Sequence, residues 1–316
     1  MLTFKTSNFL YFIILLSTLI TGCSSKLAVQ ETEPLALTTA RYAHAVVNDG
    51  KNLYVLAGSG KTGWLSNIEI IDPNSGNVEV IKDRLIRRRY FSAAWDGNHS
   101  IYILGGVSLV GNDKTKYEKR VEIFNTITHE VTFAEQLPLP TRINSAVLLN
   151  GKIFVFGGAY QKNGRLKAGR IVTVLDIAKN KWGRAHDMPT AKETRAVVKD
   201  GSIYVVGGYN EASPLNVFEK FDPKLNQWQS LPPMPVKVSA HSVTVVKDKL
   251  FVFGDYSNLN STYSYDFKTH EWEKIDIGYK ASRHNAATTL GDTTYVIGGT
   301  KGDIAYHLDY IQTFKL

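Results

Sequence analysis

Ile203-Tyr204-Val205-Val206-Gly207-Gly208 decides the fold, because the same phrase recurs along the chain. Its other versions are Leu53-Tyr54-Val55-Leu56-Ala57-Gly58, Ile101-Tyr102-Ile103-Leu104-Gly105-Gly106, Ile153-Phe154-Val155-Phe156-Gly157-Gly158, Leu250-Phe251-Val252-Phe253-Gly254-Asp255 and Thr294-Tyr295-Val296-Ile297-Gly298-Gly299. Each run is β-branched and aromatic, apolar on both faces, and stops at glycine. That is the composition of a strand buried on both sides that ends in a tight turn. Positions 57, 105, 157, 207, 254 and 298 mark a period of about 50 residues, within the range of repeat architectures.

A second marker follows each of the first five runs. An apolar or aromatic residue precedes Asp or Asn, and a bulky residue comes seven positions later: Ile71-Asp72 to Val78, Phe124-Asn125 to Val131, Leu175-Asp176 to Trp182, Phe221-Asp222 to Trp228 and Tyr265-Asp266 to Trp272. Turn formers such as Asp72-Pro73-Asn74-Ser75-Gly76 lie between. Each unit therefore reads as four strands.

Paired glycines, an aromatic-Asp pair and Trp at a fixed offset together resemble the Kelch repeat, over roughly residues 29–316. The resemblance implies an all-β, six-bladed Kelch-type β-propeller with four-stranded blades around a channel. A blade cannot bury both faces alone, so the blades must close on one another. The sixth repeat ends at Phe314-Lys315-Leu316 without an outer strand. The stretch Val29 to Leu37 occupies the place where later repeats have the outer strand of the repeat before them, so it is expected to complete the last blade. Ala57 replaces the first glycine of repeat one, Asp255 the second of repeat five, and Val78 and Val131 the usual Trp of repeats one and two.

The chain begins with a basic residue, Lys5, and an apolar stretch from Phe9 to Ile20 broken only by Ser17. That stretch is short for a membrane span and suits a signal peptide. Ile20-Thr21-Gly22-Cys23 then resembles the lipobox of bacterial lipoproteins, in which the Cys is lipidated and becomes the new N-terminus. The expected organisation is a signal peptide at 1–22, a lipidated N-terminus and tether at 23–28, and the propeller at 29–316. Acyl chains on Cys23 would hold the protein on a membrane. Ser24, where Asp is absent, points by the same resemblance to the outer membrane, facing the periplasm.

Of the 316 residues, 43% are hydrophobic and 21% charged, which excludes bulk disorder. Cys23 is the single cysteine, so disulfides within the chain and multi-cysteine zinc sites are excluded. A copper site needing a Cys cross-linked to Tyr is excluded as well, because Cys23 lies outside the repeats. No metal and no cofactor is expected. The formal charge is +8, and removing residues 1–22 takes away only Lys5. For an envelope protein this basic balance points to anionic glycans, acidic lipid head groups or protein partners and away from nucleic acid. Gly58-Ser59-Gly60-Lys61-Thr62-Gly63 resembles a phosphate loop, but Val55 stands where its first glycine belongs and no helix follows.

The candidate site is a ring of basic residues. Arg41, Arg89, Arg142, Lys192, Lys237 and Arg283 stand near the starts of the inner strands, in a register that slips by about a residue. Polar residues follow them: His44, Ser92, Asn144, Arg195 with Thr194, His241, and Asn285 with His284. In Kelch propellers these strand starts open toward one mouth of the channel. Loops after the glycine turns carry Trp64, Tyr160, Tyr209 and Tyr256 toward the same mouth. Guanidinium forks match carboxylates, sulfates and phosphates, and flat aromatics suit sugar faces. The competing reading is structural, with each Arg paired to backbone or acids so as to lock blades together. The chain then reads as an envelope binding module presenting its mouth to a protein or anionic glycan. The alternative is a periplasmic enzyme on an acidic sugar, akin to sialic acid mutarotases, with Glu211 or Asp255 paired with Arg195 or His241.

Overall fold

The computed structural model describes residues 35–111, 114–302 and 306–316. The proposed signal peptide, Cys23 and the tether lie outside the described residues. Among those described the regular structure is all β, with no helix; none is long and apolar enough to cross a membrane.

Each repeat folds as an antiparallel sheet. In the fourth, Glu193–Lys199, Ser202–Tyr209, Pro214–Asp222 and Gln227–Leu231 lie side by side in chain order. The first, second, third and fifth sheets repeat this arrangement, starting at Ala45–Asn48, Ser92–Trp95, Ser145–Leu149 and Ser242–Val246. The sixth has Ala286–Leu290, Thr293–Ile297 and Ile311–Lys315. Ala36 bridges to Tyr310, Leu37 N–H donates to Asp309 O (2.6 Å), and Leu35 O accepts from Ile311 N–H (3.1 Å). The stretch before the first sheet thus lies along the outer strand of the sixth.

The repeated markers have clear work to do. The strand running up to glycine is the second of each sheet, and its apolar run is buried, as in Leu53–Leu56 and residues 294–297. The Asp or Asn after the third strand caps its own turn. Asp72 Oδ1 accepts from Asn74 N–H (2.9 Å), Asp222 Oδ1 from Lys224 N–H (2.8 Å) and Asp266 Oδ1 from Lys268 N–H (2.7 Å). The three outer tryptophans reach backward to the preceding repeat. Trp182 donates to Glu135 O, Trp228 to His186 O and Trp272 to Pro232 O, at 2.9, 2.9 and 3.0 Å. Val78 and Val131 carry no such donor, and they pack by apolar contact alone.

The core is distributed between sheets. Leu56 and Ile68 of the first meet Ile101, Ile103 and Phe124 of the second. Val206 and Phe218 of the fourth meet Val252 and Tyr265 of the fifth. The sixth returns to the first, where Tyr295, Ile297 and Ile311 pack with Leu37, Leu53, Val55 and Ile71. Burying a side chain of this size contributes about 1.5–3 kcal/mol. Each face of each sheet therefore depends on its neighbour. The first strands of successive sheets also lie side by side, with Ala286–Leu290 returning to Ala45–Asn48.

Candidate functional site

A belt of main chain surrounds one end of these first strands. Tyr90 N–H donates to Ala43 O (2.9 Å), Ile143 N–H to Tyr90 O (2.7 Å) and Thr194 N–H to Ile143 O (3.4 Å). His284 N–H donates to Ala240 O (2.8 Å), and Ala43 N–H to His284 O (3.0 Å). One residue from each sheet takes part, and Ala43, Tyr90, Ile143, Ala240 and His284 all have φ between 50° and 58°. Such left-handed backbone is uncommon outside glycine. Here hydrogen bonds hold it, on both sides at Ala43, Tyr90, Ile143 and His284.

The belt resolves the slipping register of the basic residues, because positions around it face different surroundings. Two residues before the belt, side chains turn into their own sheet. Arg41 pairs with Glu69, Arg88 with Glu122 and Lys192 with Glu219, all buried. Arg41 Nη1 also donates to Ala57 O (3.0 Å), and Arg88 Nη1 to Gly105 O (3.1 Å). Burial lowers all three cations' pKa against the pull of their glutamates. The expectation that Arg41 and Lys192 face the mouth is therefore corrected: they are ion-paired inside.

One residue after the belt, side chains fill the space that glycine leaves in the neighbouring sheet. A Cβ at Gly105 would lie 2.3 Å from Asn144 Nδ2, and one at Gly298 would lie 2.9 Å from His44 Cε1. His44, Asn144 and Asn285 are buried spacers of this kind, another correction to the expected mouth. Tyr160 sits apart from it too, in a shallow recess with Lys162, Arg165 and Lys167.

The position immediately before the belt carries Tyr42, Arg89, Arg142, Glu193, Ser239 and Arg283. A cavity of about 390 Å³ opens beside three of these, Arg142, Glu193 and Ser239, and is lined also by Tyr90, Arg195, Tyr256 and His284. Tyr209 and His241 line it too. Arg89 lies 4.5 Å from the Trp64 ring centre and donates to Tyr42 Oη (3.1 Å). Arg283 covers the Tyr256 ring at 3.8 Å and donates to Tyr256 O (2.9 Å) and Gly302 O (2.6 Å). Arg142 Nε donates to Glu193 Oε1 at 3.0 Å, and Arg195 Nη1 to Thr194 O at 3.0 Å.

The electrostatics follow from this crowding. Burial lowers Arg195 to about 10, so it stays charged at neutral pH. His284 falls to about 3 through burial and then through Arg195, Arg283, Arg142 and Arg89. Burial, then Arg195, takes His241 to about 3. Burial raises the Glu193 carboxyl against Arg142 and Arg195. Glu193 and Tyr90 line the cavity without belonging to the expected basic ring. The carboxylates expected there are elsewhere: Glu211 is exposed and paired with Lys167 (3.1 Å). Asp255 accepts the N–H groups of Ser239, Ser257 and Asn258 at 2.8, 3.0 and 2.9 Å. No group of metal-binding side chains occurs among the described residues.

Comparison with known proteins agrees with this architecture. The family model described as the KLHDC2/KLHL20/DRC7 Kelch-repeats domain matches residues 77–255 and, overlapping, 143–316. The chain belongs to the Kelch-repeat family. Among curated Kelch proteins it is 29% identical to Kelch-like protein 23 of Pongo abelii over 218 residues, covering 68% of this chain and 37% of that one. It is 27% identical to Kelch-like protein 25 of Xenopus tropicalis over 215 residues, covering 64% and 35%. With Kelch-like protein terF of Aspergillus terreus it shares 25% over 236 residues, covering 68% and 50%. The chain thus spans between about a third and half of the length of these Kelch relatives. The Gly58–Gly63 segment is an ordinary hairpin, Ser59–Gly60 pairing with Gly63–Trp64.

Proposed function

We propose that this Kelch-repeat chain is a binding module in which six sheets close as the blades of one propeller, and the mouth cavity takes an anionic group of a protein or glycan partner. One observation carries the reading: Arg142 and Arg195 line a single cavity, held by the Glu193 carboxylate and the Thr194 carbonyl, and Arg283 lies over the ring of Tyr256, which lines it too. Guanidinium groups fixed before binding lose little freedom on meeting an anion. A thermal-shift screen with acidic sugars and acidic peptides tests it. A ligand at 100 times its Kd stabilises by about 2.7 kcal/mol. The shift should vanish in Arg142→Ala/Arg283→Ala, and failure of every anion to shift the melt would refute the reading. The closed ring predicts that deleting residues 24–37 unfolds the whole, and an unchanged cooperative melt would refute closure.

The motif at residues 20–23 supports a lipid anchor at Cys23 and placement in the cell envelope, with the propeller at the outer membrane facing the periplasm. Incorporation of a labelled fatty acid, lost in Cys23→Ala, tests that part. A second reading is catalysis on an acidic sugar. Glu193 favours it, as a carboxyl raised by burial beside Arg142 in the cavity. Mutarotation of an acidic sugar followed by NMR, abolished in Glu193→Gln, would move the assignment from binding to catalysis.

A further inference from the structure

The chemistry of the mouth occurs a second time, on the hairpin beside it. In the third repeat Ala159–Lys162 pairs with Arg165–Ala168, with Tyr160 opposite Lys167 and Lys162 opposite Arg165. Alternation along each strand puts these four side chains on one face, and together they line the recess there. Like charges directly opposite one another destabilise a hairpin. Yet among the described residues neither Lys162 nor Arg165 has a carboxylate partner. Lys167 is paired, and its partner ties the recess to the mouth. Glu211 accepts from Lys167 Nζ (3.1 Å) and from Ala168 N–H (2.5 Å). Glu211 O accepts from Tyr209 Oη (3.0 Å), and Tyr209 lines the mouth cavity. Glu211 makes these contacts from left-handed backbone, at φ 79°, a conformation uncommon outside glycine and held only where surrounding bonds fix it. Recess and cavity are therefore neighbours across a single residue.

The two places match in composition. The cavity has Arg142 and Arg195 against Glu193, with the rings of Tyr90, Tyr209 and Tyr256. The recess has Lys162, Arg165 and Lys167 against the one carboxylate of Glu211, with the ring of Tyr160. Each keeps positive charge beyond its carboxylate and offers a flat apolar face. A single anion meets one of them; a ligand that repeats its own chemistry meets both. Resting on the reading of the mouth as an anion site, we propose that the ligand is an oligosaccharide of acidic rings, with one unit in the cavity and the chain continuing past Tyr209 onto the Tyr160 hairpin. Cations interleaved with tyrosine rings suit units that are themselves rings bearing one charge. An acidic peptide carries its carboxylates on flexible stems and leaves the tyrosine faces bare. Once one unit is held, the next meets the hairpin at high effective concentration, so the second contact multiplies the affinity of the first.

Calorimetric titration of the full-length protein with galacturonate and with its linear hexamer tests this. The hexamer should bind at least about thirtyfold tighter than the monomer, more than its six equivalent units supply by statistics alone. Lys162→Gln/Arg165→Gln should remove that gain while leaving galacturonate binding and the melt unchanged, because both side chains are exposed. Lys51→Gln/Lys224→Gln, an equal loss of charge on exposed turns elsewhere, should keep the gain. A hexamer that binds no better than its units predict would overturn the path across the hairpin and leave the mouth standing. A gain that survives in Lys162→Gln/Arg165→Gln would do the same. Hexaglutamate binding as tightly as the sugar hexamer, through the same two residues, would overturn the glycan in favour of an acidic peptide. No binding by either sugar would overturn both the path and the reading of the mouth.

Discussion

Arg88 and Arg89 are adjacent in sequence and do different jobs. Arg88 is fully buried, with its guanidinium on Glu122 and Gly105 O. Arg89 lies at the mouth, against Trp64 and Tyr42. Along a strand successive side chains point to opposite sides, so one step in sequence moves a cation from the interior of a sheet to the rings of Trp64 and Tyr42. Chemistry of the side chain does not separate the buried, ion-paired arginines from the others here. Register against the belt does.

The largest effect that can break this contrast is on stability. Arg88→Met strands a buried carboxylate and should cost about 3–5 kcal/mol in chemical denaturation. Arg89→Met should cost less than about 1 kcal/mol. Similar losses at the two sites would erase the distinction. The double variant Arg88→Met/Glu122→Leu should recover much of the loss, because an apolar pair of similar volume often replaces a buried ion pair without penalty.

The next effect is a pH dependence among the buried histidines. His44 and His241 have folded-state values of about 3, depressed first by burial and then by a neighbouring arginine. The unfolded chain takes up their protons below about 6.5 while the folded chain does not. Stability is therefore lost as pH falls from about 6.5 toward 3, by about 2–3 kcal/mol per histidine at pH 4.5. Glu122 and Glu193, raised by burial, pull the other way. His44→Gln should flatten the acid limb of a stability–pH curve. An unaltered slope would place His44 in water.

The smallest expected effect sharpens the mouth itself. Arg142→Gln should leave the melt within about 1 kcal/mol of the parent, since its side chain is 31% exposed. It should nevertheless weaken anion binding about tenfold, or 1.4 kcal/mol. A large loss of stability with binding intact would assign Arg142 to the frame.

Much of the frame was legible in sequence because its signals are backbone signals. Strands ending in glycine, the Asp that caps a turn and the Trp that follows each impose local geometry, and they repeat. The site was less legible. Arg41, Arg89, Arg142, Lys192 and Arg283 look equivalent when aligned by charge, yet they occupy two positions one residue apart. Counting back about fifteen residues from each first glycine isolates Tyr42, Arg142, Ser239 and Arg283 directly, with Arg89 and Glu193 displaced by one. In the fourth sheet an irregularity between Glu193 and Arg195 accounts for that displacement. A search for basic residues alone passes over Glu193, because a carboxylate among cations is visible only by position.

Ala36 meets Tyr310, so the sixth sheet takes its last partner from the opposite end of the polypeptide. During synthesis the first sheet emerges long before the residues that cover its flank at Leu53, Val55 and Ile71. That flank waits, uncovered, until Tyr295, Ile297 and Ile311 dock against it. Contacts so distant in sequence form slowly, and waiting apolar faces with open strand edges invite aggregation. The hazardous interval of this protein's folding is therefore a late one, ended by docking where Ala36 meets Tyr310.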